Sequence, residues 1–151
     1  MHEYLRVTRS YMVLLAVFTV GRLVLGFTGV PYERGHHVFS IVILSLLSSI
    51  FYGGFCRKWR GYTVAQALAV GATIGLMSQL VIFLLTFLSY ALHVDTYFVN
   101  PRALNAPGPI SFAAAMAGRL GGLVINTATH SVAAALGWVV GATLPDARPA
   151  A

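Results

Sequence analysis

Four long apolar stretches constrain this chain more than any other feature of its sequence. They cover residues 11–30, 38–55, 64–92 and 112–144. Each has at least the ~18 residues that a helix needs to cross about 30 Å of hydrocarbon. Only 9% of the 151 residues are charged, against about 25% in an average soluble protein. The sequence therefore predicts an all-α integral membrane protein whose four transmembrane helices form a bundle.

The connections between these stretches are short, which favours a single domain over residues 1–151. The longest connection, residues 93–111, contains Pro101, Pro107 and Pro109, so we expect an irregular outer cap there. Ser111 directly precedes the last stretch and is predicted to be its N-cap. The basic segment 56–62 is predicted to connect the second and third spans, and residues 145–151 form a short tail.

The basic residues are concentrated on one side of the predicted bundle. Arg6, Arg9, Arg57, Lys58, Arg60 and Arg148 share the side of the two termini, whereas Arg34 and Arg102 lie opposite. Because cytoplasmic loops carry an excess of Lys and Arg, we expect both termini in the cytoplasm, as in a bacterial-type inner membrane protein. The net charge of +6 is then explained by the membrane boundary, and no nucleic-acid partner is expected.

Small residues recur at helical spacing in the third and fourth spans. Gly71 and Gly75 lie one turn apart, and Ala114, Gly118 and Gly122 continue the pattern in the last span. Such stripes let helix backbones approach closely in lipid. Two stripes exceed what one small bundle requires, so we expect further membrane subunits or a second copy of the chain as partners.

Two arginines are the only charged residues inside the predicted spans. Arg22 lies eight residues before Val30, and Arg119 lies eight residues after Ser111. At ~1.5 Å per residue, both are predicted to lie roughly 12 Å below the same membrane surface. No Asp or Glu lies inside a span, and an unpaired guanidinium at that depth is costly. Both side chains therefore need partners.

Three arrangements would satisfy these arginines. They could bind backbone carbonyls and hydroxyls, with Ser45 and Thr86 at a similar depth. Glu33 or Asp95 could fold back from the outer connections and neutralise them. The pair could instead line a pocket for the anionic headgroup of a lipid, a carboxylate or a quinone-like carbonyl, which suits the planar donor set of arginine.

Further polar residues lie inside the spans. Asn126 and His130 follow Arg119 at i+7 and i+11, so the three share one helical face. We expect Asn126 to link the level of Arg119 to that of His130, and His130 to form a hydrogen bond across helices. Gln79 is the corresponding polar residue on the stripe of the third span.

Histidines and carboxylates converge at the predicted outer surface. They are His36, His37, His93, Asp95 and Glu33. Such side chains could bind a transition metal, and His37 with His93 could ligate a haem axially. Against this, adjacent residues on a helix diverge by ~100°, so His36 and His37 rarely bind one ion together.

Several chemistries are excluded or disfavoured by the sequence. The single Cys56 excludes an intrachain disulfide and any CxxC motif. Phosphate-binding loops and the H-E-x-x-H motif are absent. We therefore expect no enzymatic activity, but a subunit of a larger membrane complex or a protein that binds lipid or a small anion. A metal- or haem-binding redox protein and an anion transporter or channel are the alternatives.

Overall fold

Helices alone make up the structure, a computed structural model that describes residues 2–145. About 77% of these residues are helical, and none forms a strand. Among them, four helices are long and apolar enough to cross a membrane, which confirms that part of the prediction. The helices are α1 (His2–Val7), α2 (Arg9–Phe27), α3 (Tyr32–Gly35), α4 (Ile41–Arg60), α5 (Val64–Ala91) and α6 (Phe112–Gly141). Most of the predicted tail, from residue 146 onward, lies outside the described residues.

The helix ends differ from the apolar boundaries of the sequence. The segment 56–62 was predicted to be a connection, but α4 continues through it to Arg60. The stop signal is Gly61, whose positive φ of 64° ends the helix in the left-handed conformation. At the other end, α4 begins at Ile41 rather than at residue 38, because Ser40 caps it by accepting a hydrogen bond from the amide of Ile43. The apolar stretches of the sequence indicate which residues can lie in the hydrocarbon core, whereas capping residues determine where each helix begins and ends.

Two further helix starts are defined by capping residues. Thr63 and Gln66 form a reciprocal capping box at the start of α5. Ser111 accepts a hydrogen bond from the amide of Ala114 at 3.3 Å, which confirms it as the N-cap of α6. The loop between α5 and α6, called the outer loop here after its predicted side of the membrane, contains one short 3₁₀ helix, Pro101–Leu104. The last two spans end at Ala91 and Gly141 instead of residues 92 and 144.

The backbones of α4 and α6 touch at paired glycines. A Cβ atom built on Gly53 would overlap the carbonyl oxygen of Ala134, and one on Gly137 would overlap that of Ile50. One turn further, a Cβ on Gly141 would lie 2.7 Å from the carbonyl oxygen of Gly54. Only glycine permits this approach, and the sequence reasoning missed this set of glycines.

Helix α6 also packs closely on α5. A Cβ on Gly71 would overlap the carbonyl oxygen of His130, and one on Gly75 would lie 2.9 Å from the Cα of Thr127. The predicted small-residue pair of the third span therefore faces α6. In contrast, no atom lies within 4 Å of a Cβ on Gly118, so this part of the predicted stripe does not pack against a helix.

Helix α2 is the most exposed of the four long helices. Its only buried residues are Tyr11 and Leu15, and the phenol of Tyr11 donates to the carbonyl oxygen of Ile74 at 3.4 Å. Towards its end, Arg22 approaches the first connection and the outer loop. These two segments therefore complete the surroundings of Arg22.

The close contact of α4 with α6 predicts a sharp difference between two glycines of α6. Gly137→Ala should lower the free energy of unfolding by about 1–3 kcal/mol, because the added methyl overlaps the backbone of Ile50. Gly121→Ala is the matched control, since nothing lies within 4 Å of its Cβ position. It should be neutral or stabilising by up to ~1 kcal/mol, from helix propensity. Reversible SDS unfolding in micelles, followed by circular dichroism, measures both; equal effects would contradict this packing.

Candidate functional site

The guanidinium of Arg119 is fixed by three hydrogen bonds. Its Nε donates to the hydroxyl of Thr86 at 3.0 Å. Its two Nη atoms donate to the carbonyl oxygens of Ala103 at 3.3 Å and Phe98 at 2.8 Å. One partner lies on α5 and two lie in the outer loop, so Arg119 ties this loop to α5 and α6. Backbone carbonyls and one hydroxyl thus serve as its acceptors.

Arg22 is held differently, mostly by aromatic rings. One Nη atom donates to the carbonyl oxygen of His36 at 3.1 Å. The guanidinium carbon lies 5.3, 5.9 and 6.0 Å from the ring centroids of Tyr97, Tyr32 and Phe98, respectively. These distances are within the range of cation–π attraction. Arg22 therefore has fewer hydrogen bonds than Arg119, although both are partly buried.

Both arginines line one small cavity of about 90 Å³. Its wall also includes Ser40 at the start of α4 and the aromatic residues Tyr97 and Phe98. The volume exceeds the space that one water needs and is well below the 300–1,000 Å³ typical of drug-sized ligands. The cavity is therefore suited to a single small polar group. It is called the arginine cavity below.

No carboxylate among the described residues lines the arginine cavity. Glu33 pairs with Arg102 at 2.9 Å, and the two side chains are 51% and 65% exposed. Asp95 lies with His93 beside a different cavity. Within residues 2–145, neither arginine forms an ion pair with Asp or Glu. The arrangement in which Glu33 or Asp95 neutralises the arginines is thus not the one that the structure adopts.

The outer loop supplies wall residues that the sequence reasoning missed. Tyr97 and Phe98 are only 4% and 2% exposed, although they lie in a loop. Burial raises the pKa of Tyr97, so its phenol stays protonated; it donates to the carbonyl oxygen of Val30 at 2.8 Å. The sequence signal that could have identified these two buried residues was a pair of adjacent aromatic residues within a connection that contains prolines.

A second cavity, of about 140 Å³, lies on another side of Arg119. Its wall contains three residues with side-chain amides: Gln79 on α5, Asn126 on α6 and Asn105 in the loop between these helices. Arg119 and Ala103 line both cavities. We call this second space the amide cavity. Asn126 thus adjoins Arg119 and, through its backbone, also contacts His130.

His130 and Ser45 join α6 to α4 in the buried interior. Nδ1 of His130 lies 2.5 Å from the carbonyl oxygen of Asn126, and Nε2 lies 2.7 Å from Oγ of Ser45. A carbonyl oxygen can only accept, so Nδ1 donates to Asn126. Oγ of Ser45 also lies 3.0 Å from the carbonyl oxygen of Val42, so its one proton is available to both that oxygen and Nε2 of His130. Ser45, which was expected at the depth of the arginines, is a partner of His130 in the structure. Thr86 does bind Arg119, as expected for its depth.

The outer histidines do not gather with the carboxylates. The rings of His36 and His37 lie 3.7 Å apart, and Nδ1 of His36 contacts the backbone oxygen of Glu33 at 3.1 Å. Among the residues that the structure describes, no group of three or more His, Cys, Asp and Glu side chains could hold a metal ion. The metal or haem interpretation of these residues gains no support from the geometry.

Comparison of the chain with protein-family models, with curated proteins and with solved structures found no match in any of the three searches. The candidate site therefore has to be interpreted from its own residues.

Proposed function

We propose that this protein is a four-helix integral membrane protein that binds a phosphate group between Arg22 and Arg119. The phosphate would be either inorganic phosphate or the headgroup of an anionic lipid. One observation carries the proposal: two guanidinium groups line a single small cavity, and no described carboxylate pairs with either. Proteins avoid two buried like charges unless a counter-ion or function compensates them.

The charge of the arginine cavity favours phosphate over a carboxylate or a quinone carbonyl. Two guanidinium groups carry a charge of +2. A carboxylate neutralises only half of this charge, and a neutral carbonyl group neutralises none of it. A phosphate group offers several acceptor oxygens, so it can accept from two arginines on different helices. The cavity volume of about 90 Å³ also favours a compact group over a ring system.

Arg22 is the better candidate for direct contact with the ligand. Three nitrogens of Arg119 already donate to protein oxygens. Arg22 donates to the backbone oxygen of His36 and has the phenol of Tyr32 as a second polar partner, so more of its five N–H donors stay available than in Arg119. We infer that Arg22 supplies the principal donors, whereas Arg119 contributes its charge and holds the loop that forms one wall.

The depth of the site fits a lipid phosphate as well as a free one. Helix α6 has 30 residues and is therefore ~45 Å long, about the thickness of a bilayer with its headgroups. Arg119 lies seven residues after Phe112, which corresponds to ~10 Å. If α6 is centred on the hydrocarbon core, Arg119 lies only ~3 Å inside its boundary. A headgroup phosphate would reach the cavity with a small displacement.

Binding is better supported than transport across the whole bilayer. A route for an anion would have to pass the level of His130, beyond the amide cavity. His130 is 2% exposed, Ser45 is fully buried, and the two are bonded to each other. Membership of a larger complex stays a prediction, because acyl chains would cover the exposed apolar faces of α2 and α6 equally well.

The experiment compares Arg22→Gln with Arg102→Gln, which removes the same charge outside the arginine cavity. Purified protein in an uncharged detergent is titrated with phosphate at constant ionic strength while thermal unfolding is measured. The wild type should be stabilised saturably. Arg22→Gln should weaken the apparent affinity at least tenfold, because a charge-assisted hydrogen bond contributes about 1.5–3 kcal/mol.

Native mass spectrometry provides the lipid arm of this experiment. If the ligand is lipid-borne, the wild type and Arg102→Gln should retain phosphatidylglycerol that Arg22→Gln loses. A saturable phosphate response without a retained lipid would identify free phosphate as the ligand. The proposal fails if the wild type shows neither response, or if both variants behave like the wild type.

We also propose that the two termini lie in the cytoplasm, so that the arginine cavity opens towards the outer surface. The excess of basic residues beside α1 and at the end of α4 supports this orientation. In a Cys56→Ser background, a membrane-impermeant maleimide should label Pro107→Cys in intact cells. It should label Arg60→Cys only after permeabilisation. The reverse pattern would contradict the orientation and leave phosphate binding untouched.

A further inference from the structure

The side chain of Gln79 is buried in the amide cavity without a hydrogen-bond partner. The residue is only 4% exposed, and its amide forms no hydrogen bond with any described residue. The amide atoms are not sealed in protein, because among the described residues only Oγ1 of Thr127 is a fully buried side-chain atom without a partner. In contrast, the neighbouring hydroxyl of Ser78 donates to the carbonyl oxygen of Gly75 at 2.9 Å. A buried polar side chain that bonds to no protein atom is costly to fold and points to an external partner.

Asn126 presents a second amide to the same space. Its side chain also forms no hydrogen bond within the described part of the chain, although its backbone oxygen contacts His130. A Cβ on Gly122 would lie 3.5 Å from Nδ2 of Asn126 and 3.9 Å from Oε1 of Gln79. The two amides thus meet beside Gly122, from adjacent helices, and both face the amide cavity.

The amide cavity exists because two of the residues that line it are glycines without side chains. Gly118 and Gly122 line the cavity, and nothing lies within 4 Å of a Cβ on Gly118. The absence of side chains at these positions keeps open a space of about 140 Å³. Such a volume accepts a small molecule or the polar part of a larger one, and it exceeds the needs of a single water.

We propose that the amide cavity binds a neutral group that carries a hydrogen-bond donor beside an acceptor, as in a carboxamide. The side-chain amides of Gln79, Asn126 and Asn105 together carry six N–H donors and three carbonyl acceptors, which is the complement of such a group. Arg119 adjoins the cavity, but its three nitrogens already donate to Thr86, Ala103 and Phe98. Because none of these bonds uses the side-chain amides, the amides are what distinguishes this wall, and they match a group that both donates and accepts. This site is separate from the phosphate site of Arg22.

The neutral group could belong to a free solute or to a membrane lipid, and the chemistry of recognition is the same. Acetamide serves as the probe for the free form. Acetone has nearly the same shape but can only accept hydrogen bonds, and acetate carries the charge that the proposal excludes. Native mass spectrometry of the protein in mild detergent detects a retained neutral lipid.

Two variants remove the site in different ways. Gln79→Met replaces the amide by an apolar chain of similar length, and Gly118→Val fills the cavity. Gly121→Val is the matched control for the second variant, because Gly121 lies on the same helix, has open space around it and does not line the cavity. Since the amide of Gln79 is unpartnered, Gln79→Met should unfold at the same or a higher temperature than the wild type without ligand.

Acetamide should stabilise the wild type saturably against thermal unfolding. The affinity should fall at least tenfold in Gln79→Met and Gly118→Val, and it should be unchanged in Gly121→Val and Arg22→Gln. Acetone and acetate should give no saturable effect. For a lipid-borne group, a neutral lipid should instead copurify with the wild type and be lost in Gln79→Met.

The proposal is overturned if acetamide acts equally on all variants or if acetate binds in its place. It is also overturned if the wild type shows neither a saturable response nor a retained neutral lipid, since the cavity then holds only water. The result for Arg22→Gln separates this site from the phosphate site, because each can fail without the other.

Discussion

A guanidinium inside a membrane-spanning helix needs acceptors, and the supply of acceptors shapes the outer half of this protein. No described carboxylate serves, so Arg119 takes its acceptors from Thr86 and from the backbone of the outer loop. The loop is thereby drawn over the ends of α5 and α6, and its residues Tyr97 and Phe98 become buried. The rings of Tyr97 and Phe98 also lie beside Arg22. The loop conformation that supplies hydrogen-bond acceptors to Arg119 therefore also places aromatic rings around Arg22.

The inner half of the protein depends on a different constraint, the close contact of helix backbones. Glycines let α6 touch both α4 and α5, and the hydrogen bond between Ser45 and His130 crosses the same interface. This region is closely packed, and among its described side chains the buried hydroxyl of Thr127 has no hydrogen-bond partner. The outer half contains the two cavities and the unpartnered amide of Gln79. The division suggests a rigid inner scaffold that supports an outer binding region.

The sequence predicts the helices and the level of the arginines, because both follow from residue spacing along one element. It cannot predict their partners. Backbone carbonyls such as those of Phe98 and Ala103 are present in every sequence, so nothing in the residue types marks them as acceptors. Ser45 was assigned to an arginine from depth alone, but the rotation of α4 turns it towards His130. The contact made by the α4 glycines was not predicted, because Gly53 and Gly54 are adjacent and do not form a pattern of small residues one helical turn apart.

The central claim is that a phosphate group lies between Arg22 and Arg119. Solid-state NMR tests it directly through the dipolar coupling between ³¹P and the ¹⁵N-labelled guanidinium groups, with the protein in bilayers that contain anionic phospholipid or, in phosphorus-free lipid, inorganic phosphate. The account predicts that phosphorus dephases the Arg22 signal strongly in one of these two samples, and that Arg22→Gln removes this signal. Absence of dephasing at Arg22 in both samples would contradict the account.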